Sequence, residues 1–171
     1  VLFRSRRHAP GVLVNETVWS VLALRAVGEP APRDLVDAIL AAQHRSGGFS
    51  WSQGGRPDSN DTAAAIQALR AAGVGGVPVA RAVAALRTFQ ARTGGFALTR
   101  GRAPDAQSTA WAIQALLAAG ARPGKTPFRF LASLRRPDGS YRYSAAYGTT
   151  PVWVTSQVLA ALAGRPFPLR P

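Results

Sequence analysis

A stretch of fourteen residues recurs along the chain at a nearly constant interval, and a period of this size marks a repeat architecture in which each unit is one small supersecondary element. Asn60-Asp-Thr-Ala-Ala-Ala-Ile-Gln-Ala-Leu-Arg-Ala-Ala-Gly73 aligns without gaps to Gln107–Gly120, 47 residues later, and to Asn15–Gly28, 45 residues earlier. A degenerate fourth copy ends in Leu159-Ala-Ala-Leu-Ala-Gly164. Each copy opens on small polar residues suited to a helix N-terminus, runs through strong helix formers, and stops at a Gly placed for the left-handed C′ position. The pattern predicts helices of about 13 residues.

A second helix is predicted between copies. Pro78 takes a first-turn position, and Val79, Ala82, Val83, Leu86 and Phe89 form one apolar stripe behind it. Pro32 with Leu35, Ala38, Ile39 and Ala42 repeats the design, as does Thr126-Pro127-Phe128 with Leu131 and Leu134. Each second helix is followed by a turn of fixed spacing: Gln43-x-x-x-Gly47-x-Phe49, Gln90-x-x-x-Gly94-x-Phe96 and Arg135-x-x-x-Gly139-x-Tyr141. The polar side chain suits the orphan carbonyls of the helix end, the Gly permits the reversal, and the aromatic anchors it. The expected architecture is all-α, with about seven helices in two layers forming an open arc. Residues 1–14 are expected to be scar and linker, 15–59, 60–106, 107–151 and a partial 152–164 to be repeats, and 165–171 a Pro-rich tail.

Composition removes several kinds of chemistry. With no Cys there is no disulfide, thiolate zinc site or cysteine nucleophile, and His8 and His44 are the only imidazoles. No apolar run approaches the ~20 residues of a membrane-spanning helix. The chain lacks Met, and one codon choice for Val1–Ser5 reads as the end of a common sequencing adapter, so these five residues are expected to be a cloning scar. The net charge of +13 would suit an anionic polymer. Its distribution argues otherwise: twenty arginines against the single Lys125 are scattered through every segment, with Arg4, Arg6, Arg7 and the Arg135–Arg136 pair the only clusters. A GC-rich genome accounts for such a pattern, and no specific nucleic-acid partner is expected.

The turn motif resembles the QW repeat of squalene and oxidosqualene cyclases, found where an outer helix turns toward the next inner one. Pro57-Asp58-Ser59-Asn60-Asp61-Thr62-Ala63 is similar to the Pro-Asp-x-Asp-Asp-Thr-Ala stretch of squalene-hopene cyclases, which opens an inner helix and holds the acid that protonates the substrate. From Asn15 to Gly164 the chain thus resembles the α/α toroids of terpenoid cyclases and protein prenyltransferase β-subunits, and most of all bacterial proteins with prenyltransferase and squalene-oxidase repeats. The resemblance implies an apolar or isoprenoid-like ligand, or a protein partner, and an exported or cell-surface location. It also implies that Asn60 stands at the acid position, and an amide cannot deliver a proton to an alkene. Asp58 and Asp61 remain as weak catalytic candidates. Asp105 occupies the place of Asp58 in the next repeat, which favours a helix-start role for both carboxylates. The Asp, Cys and His zinc site of prenyltransferase β-subunits cannot be carried over without Cys, so neither metal nor cofactor is expected.

Trp19 and Trp111 occupy equivalent positions and Trp153 lies near the start of the last copy, so these rings either line an apolar cavity or pack between repeats. Gln67 and Gln114 are equivalent mid-helix amides, with Gln157 nearby in the last copy, and they either bridge neighbouring helices or bind a ligand. Trp51, Tyr143 and Tyr147 fall in loops, and His44 at a helix end. Three functional readings follow: a noncatalytic toroid domain that binds a ligand or partner, part of an isoprenoid-processing enzyme whose catalytic residues lie elsewhere, or a cobalamin-carrier-like toroid.

Overall fold

The computed structural model describes residues 13–169. The expectations for Val1–Ser5, for Arg4, Arg6, Arg7 and His8, and for the last two residues of the tail lie outside that range. Within it are seven helices: α1 (Val14–Ala26), α2 (Arg33–Ala41), α3 (Ser59–Ala71), α4 (Gly76–Arg87), α5 (Ala106–Ala118), α6 (Thr126–Ser133) and α7 (Pro151–Leu162). Extended pairing among the described residues is confined to isolated bridges, two of which close Gly turns, Gln90 with Phe96 and Arg135 with Tyr141, while Phe49 pairs with Asp58 across the loop that follows the first turn.

The odd-numbered helices form an inner layer in which α1 packs on α3, α3 on α5 and α5 on α7, while α2, α4 and α6 each lie against their own inner helix. Side-chain size explains the layering. The middle inner helices are buried almost all round, and Ala63, Ala64, Ala65 and Ala68 on α3, with Ala110, Ala112 and Ala115 on α5, let neighbours approach closely. The larger Ile66, Leu69, Ile113 and Leu116 fill the space toward the outer layer and the adjoining repeats. Outer helices bury one stripe only, as Val79, Ala82 and Leu86 do on α4.

The same ties recur between repeats. The Thr62 hydroxyl accepts from the Phe49 N–H at 3.0 Å, Thr109 from Phe96 at 2.9 Å, and Thr155 from Tyr141 at 2.9 Å. Each Gly turn is thereby pinned to the first turn of the next inner helix. The Gln43 amide donates to the Gly47 carbonyl and to Pro78 of the next outer helix, each at 2.9 Å, and Gln90 donates to Gly94 at 3.0 Å. Phe49 and Phe96 are fully buried beneath these turns.

Candidate ligand site on the inner face

Spacing puts Asn15 and Trp19 of α1, Asn60, Ala64 and Gln67 of α3, and Gln107, Trp111 and Gln114 of α5 on one face of each inner helix, since residues four and seven apart share a face. Trp19 and Trp111 stand two repeats apart. The residue between them in register is Ala64, which carries no ring, and the two indoles close over it edge to face with centroids 5.5 Å apart. Trp111 is buried and its Nε1 donates to Gln157 Oε1 of α7 at 3.0 Å, whereas Trp19 remains 40% exposed.

Gln67 and Gln114 are fully buried beside this pair. The backbone after α7 turns across them. Gln114 Nε2 donates to the Arg165 carbonyl at 2.8 Å, Gln67 Oε1 accepts from the Phe167 N–H at 2.7 Å, and the Phe167 ring lies 6.0 Å from Trp19 and 5.6 Å from Trp111. Gln114 Oε1 is buried without a hydrogen-bond partner among the described residues. Trp19, Gln67, Trp111 and Gln114 therefore converge around Phe167. Trp153, in the first turn of α7 and 58% exposed, stands outside the ring cluster. Phe167 falls in the segment read from sequence as a tail, and nothing in its local pattern ties it to the repeats.

The carboxylates lie at the N-terminal ends of the inner helices. Asp58 is the N-cap of α3 and accepts from the Asp61 N–H at 2.8 Å; Asp105 caps α5, accepting from the Ser108 N–H at 2.7 Å and its hydroxyl at 2.8 Å. Asp61 in turn accepts from the Asn15 amide of α1 at 2.8 Å, a tie between inner helices. Burial first, and then the side-chain hydrogen bond with Asp61, push the Asp58 carboxyl up to about 7. Burial raises Asp105 as well, against the pull of the Ser108 donors, and burial followed by the Asp105 charge raises the Tyr143 hydroxyl. A raised carboxyl at the cap is thus common to two successive repeats, with a second carboxylate beside it only at Asp58. Asn60, half-buried, accepts from the Ser59 hydroxyl at 3.3 Å.

His44 lies just past α2, its Nδ1 hydrogen-bonded to the Ser46 hydroxyl, at the edge of a cleft of about 330 Å³ that also includes Arg56, Phe89 and Arg100. Among the described residues no three His, Cys, Asp or Glu side chains gather as metal ligands, and no helix is long and apolar enough to cross a membrane.

The sequence matches the profile of the prenyltransferase alpha-alpha toroid domain over residues 14–82 and again over 77–155, together most of the chain. The chain belongs to the prenyltransferase α/α-toroid family. No curated protein sequence matches it. Solved toroids similar to it include protein geranylgeranyltransferase-I of Candida albicans in complex with GGPP, 14% identical with a TM-score of 0.70 over 89% of this chain and 49% of that one. The type II terpene cyclase MstE from Scytonema is 16% identical, with a TM-score of 0.69 over 86% of this chain and 46% of that one. The ent-copalyl diphosphate synthase of Streptomyces platensis is 26% identical, with a TM-score of 0.67 over 88% of this chain and 30% of that one. The toroid described here spans less than half the length of each.

Proposed function

We propose that this toroid domain binds an apolar, isoprenoid-like ligand on its inner face and does not itself carry out acid-initiated chemistry. The observation that carries the reading is the Trp19–Trp111 pair, an aromatic wall with one ring partly open to solvent, flanked by two buried amides at equivalent positions. Such a surface offers apolar area with a few polar groups to orient what lies on it. The GGPP-bound state of the Candida protein adds support from a related toroid. The noncatalytic part rests on Asn60, which has no acidic proton to give, and on the capping work of Asp58, whose oxygen is engaged by the backbone of its own helix.

Farnesol titrated into the protein should change tryptophan emission saturably, and Trp19→Ala should weaken binding about tenfold, the equivalent of one lost aromatic contact of roughly 1.4 kcal/mol. Trp19 is the better choice than the buried Trp111 because its loss leaves the core intact. Squalene incubated with the same protein should give no cyclised product. Turnover that disappears in Asp58→Asn would overturn the noncatalytic reading.

A further inference from the structure

The inner face is already occupied. Pro166, Phe167 and Pro168 lie half-buried across α5 and α3, and Phe167 supplies the third ring of the cluster with Trp19 and Trp111. We infer that the segment Arg165–Leu169 is a built-in competitor that holds the Trp19–Trp111 site closed and must be displaced before a ligand enters, an inference that rests on the ligand site proposed above.

The fit of this segment is specific in its hydrogen bonding. Proline has no N–H, so between residues 166 and 168 the backbone has a single donor, the Phe167 N–H, and that donor meets Gln67 Oε1. The one carbonyl drawn into the site, that of Arg165, meets the equivalent amide one repeat away. Two residues of extended chain reach about 7 Å, close to the spacing of adjacent helices at about 8–10 Å, and the two Gln side chains cover the remainder. Each proline also holds the residue before it in extended backbone, which lowers the entropy lost when the segment is laid down.

Its hold is partial, which a displaceable segment requires. Two hydrogen bonds and one aromatic ring hold it to the inner face, Leu169 is 47% exposed, and Trp19 stays open at the edge. Gln114 uses its amide N–H on the segment while Oε1, buried beside it, is left without a partner. A buried acceptor left unmet is costly, and an occupant with a hydroxyl at that point would satisfy what the segment does not. The inner face therefore carries an incentive for exchange.

The test uses Phe167→Ala and, separately, Pro166→Gly, neither of which alters a residue of the site itself. Both are made in a Trp51→Phe, Trp153→Phe background so that emission reports Trp19 and Trp111 alone. Far-UV circular dichroism checks that the helices persist. Acrylamide quenching should rise in both variants, and the farnesol Kd should fall about tenfold if the segment is seated ~90% of the time, since apparent affinity scales with the open fraction. Unchanged quenching together with an unchanged Kd would overturn the inference. Raised quenching with no farnesol binding to any of the proteins would support the seated segment and sink the ligand reading instead, so the two ideas fail separately.

Discussion

At Gly94 the backbone sits at φ 91°, and a Cβ placed there would stand 2.5 Å from the Thr126 Cβ and 2.7 Å from its carbonyl. Gly47 repeats the situation with φ 89° and the Arg81 carbonyl oxygen at 2.5 Å. Gly139, in the third turn, has φ 85° but meets only the end of the Arg135 side chain, 4.0 Å away. Two physical demands thus separate at one motif position. All three turns need the left-handed backbone, at a cost to other residues of about 1–2 kcal/mol, while only the first two also need room for the next outer helix. Gly94→Ala should therefore lower the urea midpoint more than Gly139→Ala, and Phe96→Ala, which empties a fully buried site under the same turn, should cost about 3–5 kcal/mol. Equal shifts for the two glycine variants would remove the packing argument. The spacing of this motif was legible in the sequence because a backbone demand recurs wherever the turn does. Its partner was not, since contact with Thr126 depends on how the next helix pair is placed.

The two middle inner helices, α3 and α5, are tied at both ends by side chains that take up orphan backbone groups. At the N-terminal ends Asp58 and Asp105 serve as caps. At the C-terminal ends Arg25 Nε donates to the Ala71 carbonyl at 3.0 Å, and Arg70 Nε to the Ala118 carbonyl at 3.1 Å, each reaching the last turn of the next inner helix. A cation there also meets the negative end of the helix dipole. Arg81 and Arg87 make comparable bonds between outer-layer segments, so part of the positive charge that composition alone assigned to genome bias has structural work. The one ion pair found among the described residues joins Arg33 to Asp37 at 4.0 Å on the surface of α2. The Asp58 cap makes a pH prediction. Its carboxyl titrates near 7 in the fold against an ordinary 3.8, so between those values the folded state holds the proton more firmly than the unfolded chain, and stability falls as pH rises. The contribution is fully present below about pH 4 and lost through neutrality. Asp58→Asn keeps an acceptor for the Asp61 N–H and removes the titration, so melting temperature should decline less between pH 4.5 and 7.5 in the variant; a slope equal to wild type would show that Asp58 is not raised. Asp105, shifted in the same direction, leaves a residual slope.

Across the whole molecule the layers were legible because they follow from a repeat with alternating small and large apolar residues, whereas the occupant of the inner face was not. Phe167 reaches Gln67 across one hundred residues, and no periodicity encodes a contact made once. The same one-dimensional plan, with each unit braced chiefly by its neighbours, makes stability a sum of local and nearest-neighbour terms. Helices α3 and α5 have an inner helix on both sides and bury ten residues each. Helices α1 and α7 bury four each, and α7 leaves Val152 84%, Leu159 55% and Leu162 43% exposed. Opening α7 breaks one inner contact, but opening α3 breaks two and releases its outer helix as well. Amide exchange should therefore be slowest in α3 and α5, faster in α1, and fastest among inner helices in α7, because local opening follows the free energy of the contacts that must break. The seated segment refines the ordering, since Phe167 links the end of α7 to α1, α3 and α5, and its removal by Phe167→Ala should speed exchange most in α7 and α1, which have an inner helix on one side only, and least in α3 and α5, which keep one on both. Uniform protection across all four inner helices would mean that the arc opens as a single cooperative body, and the nearest-neighbour account of its stability would fall.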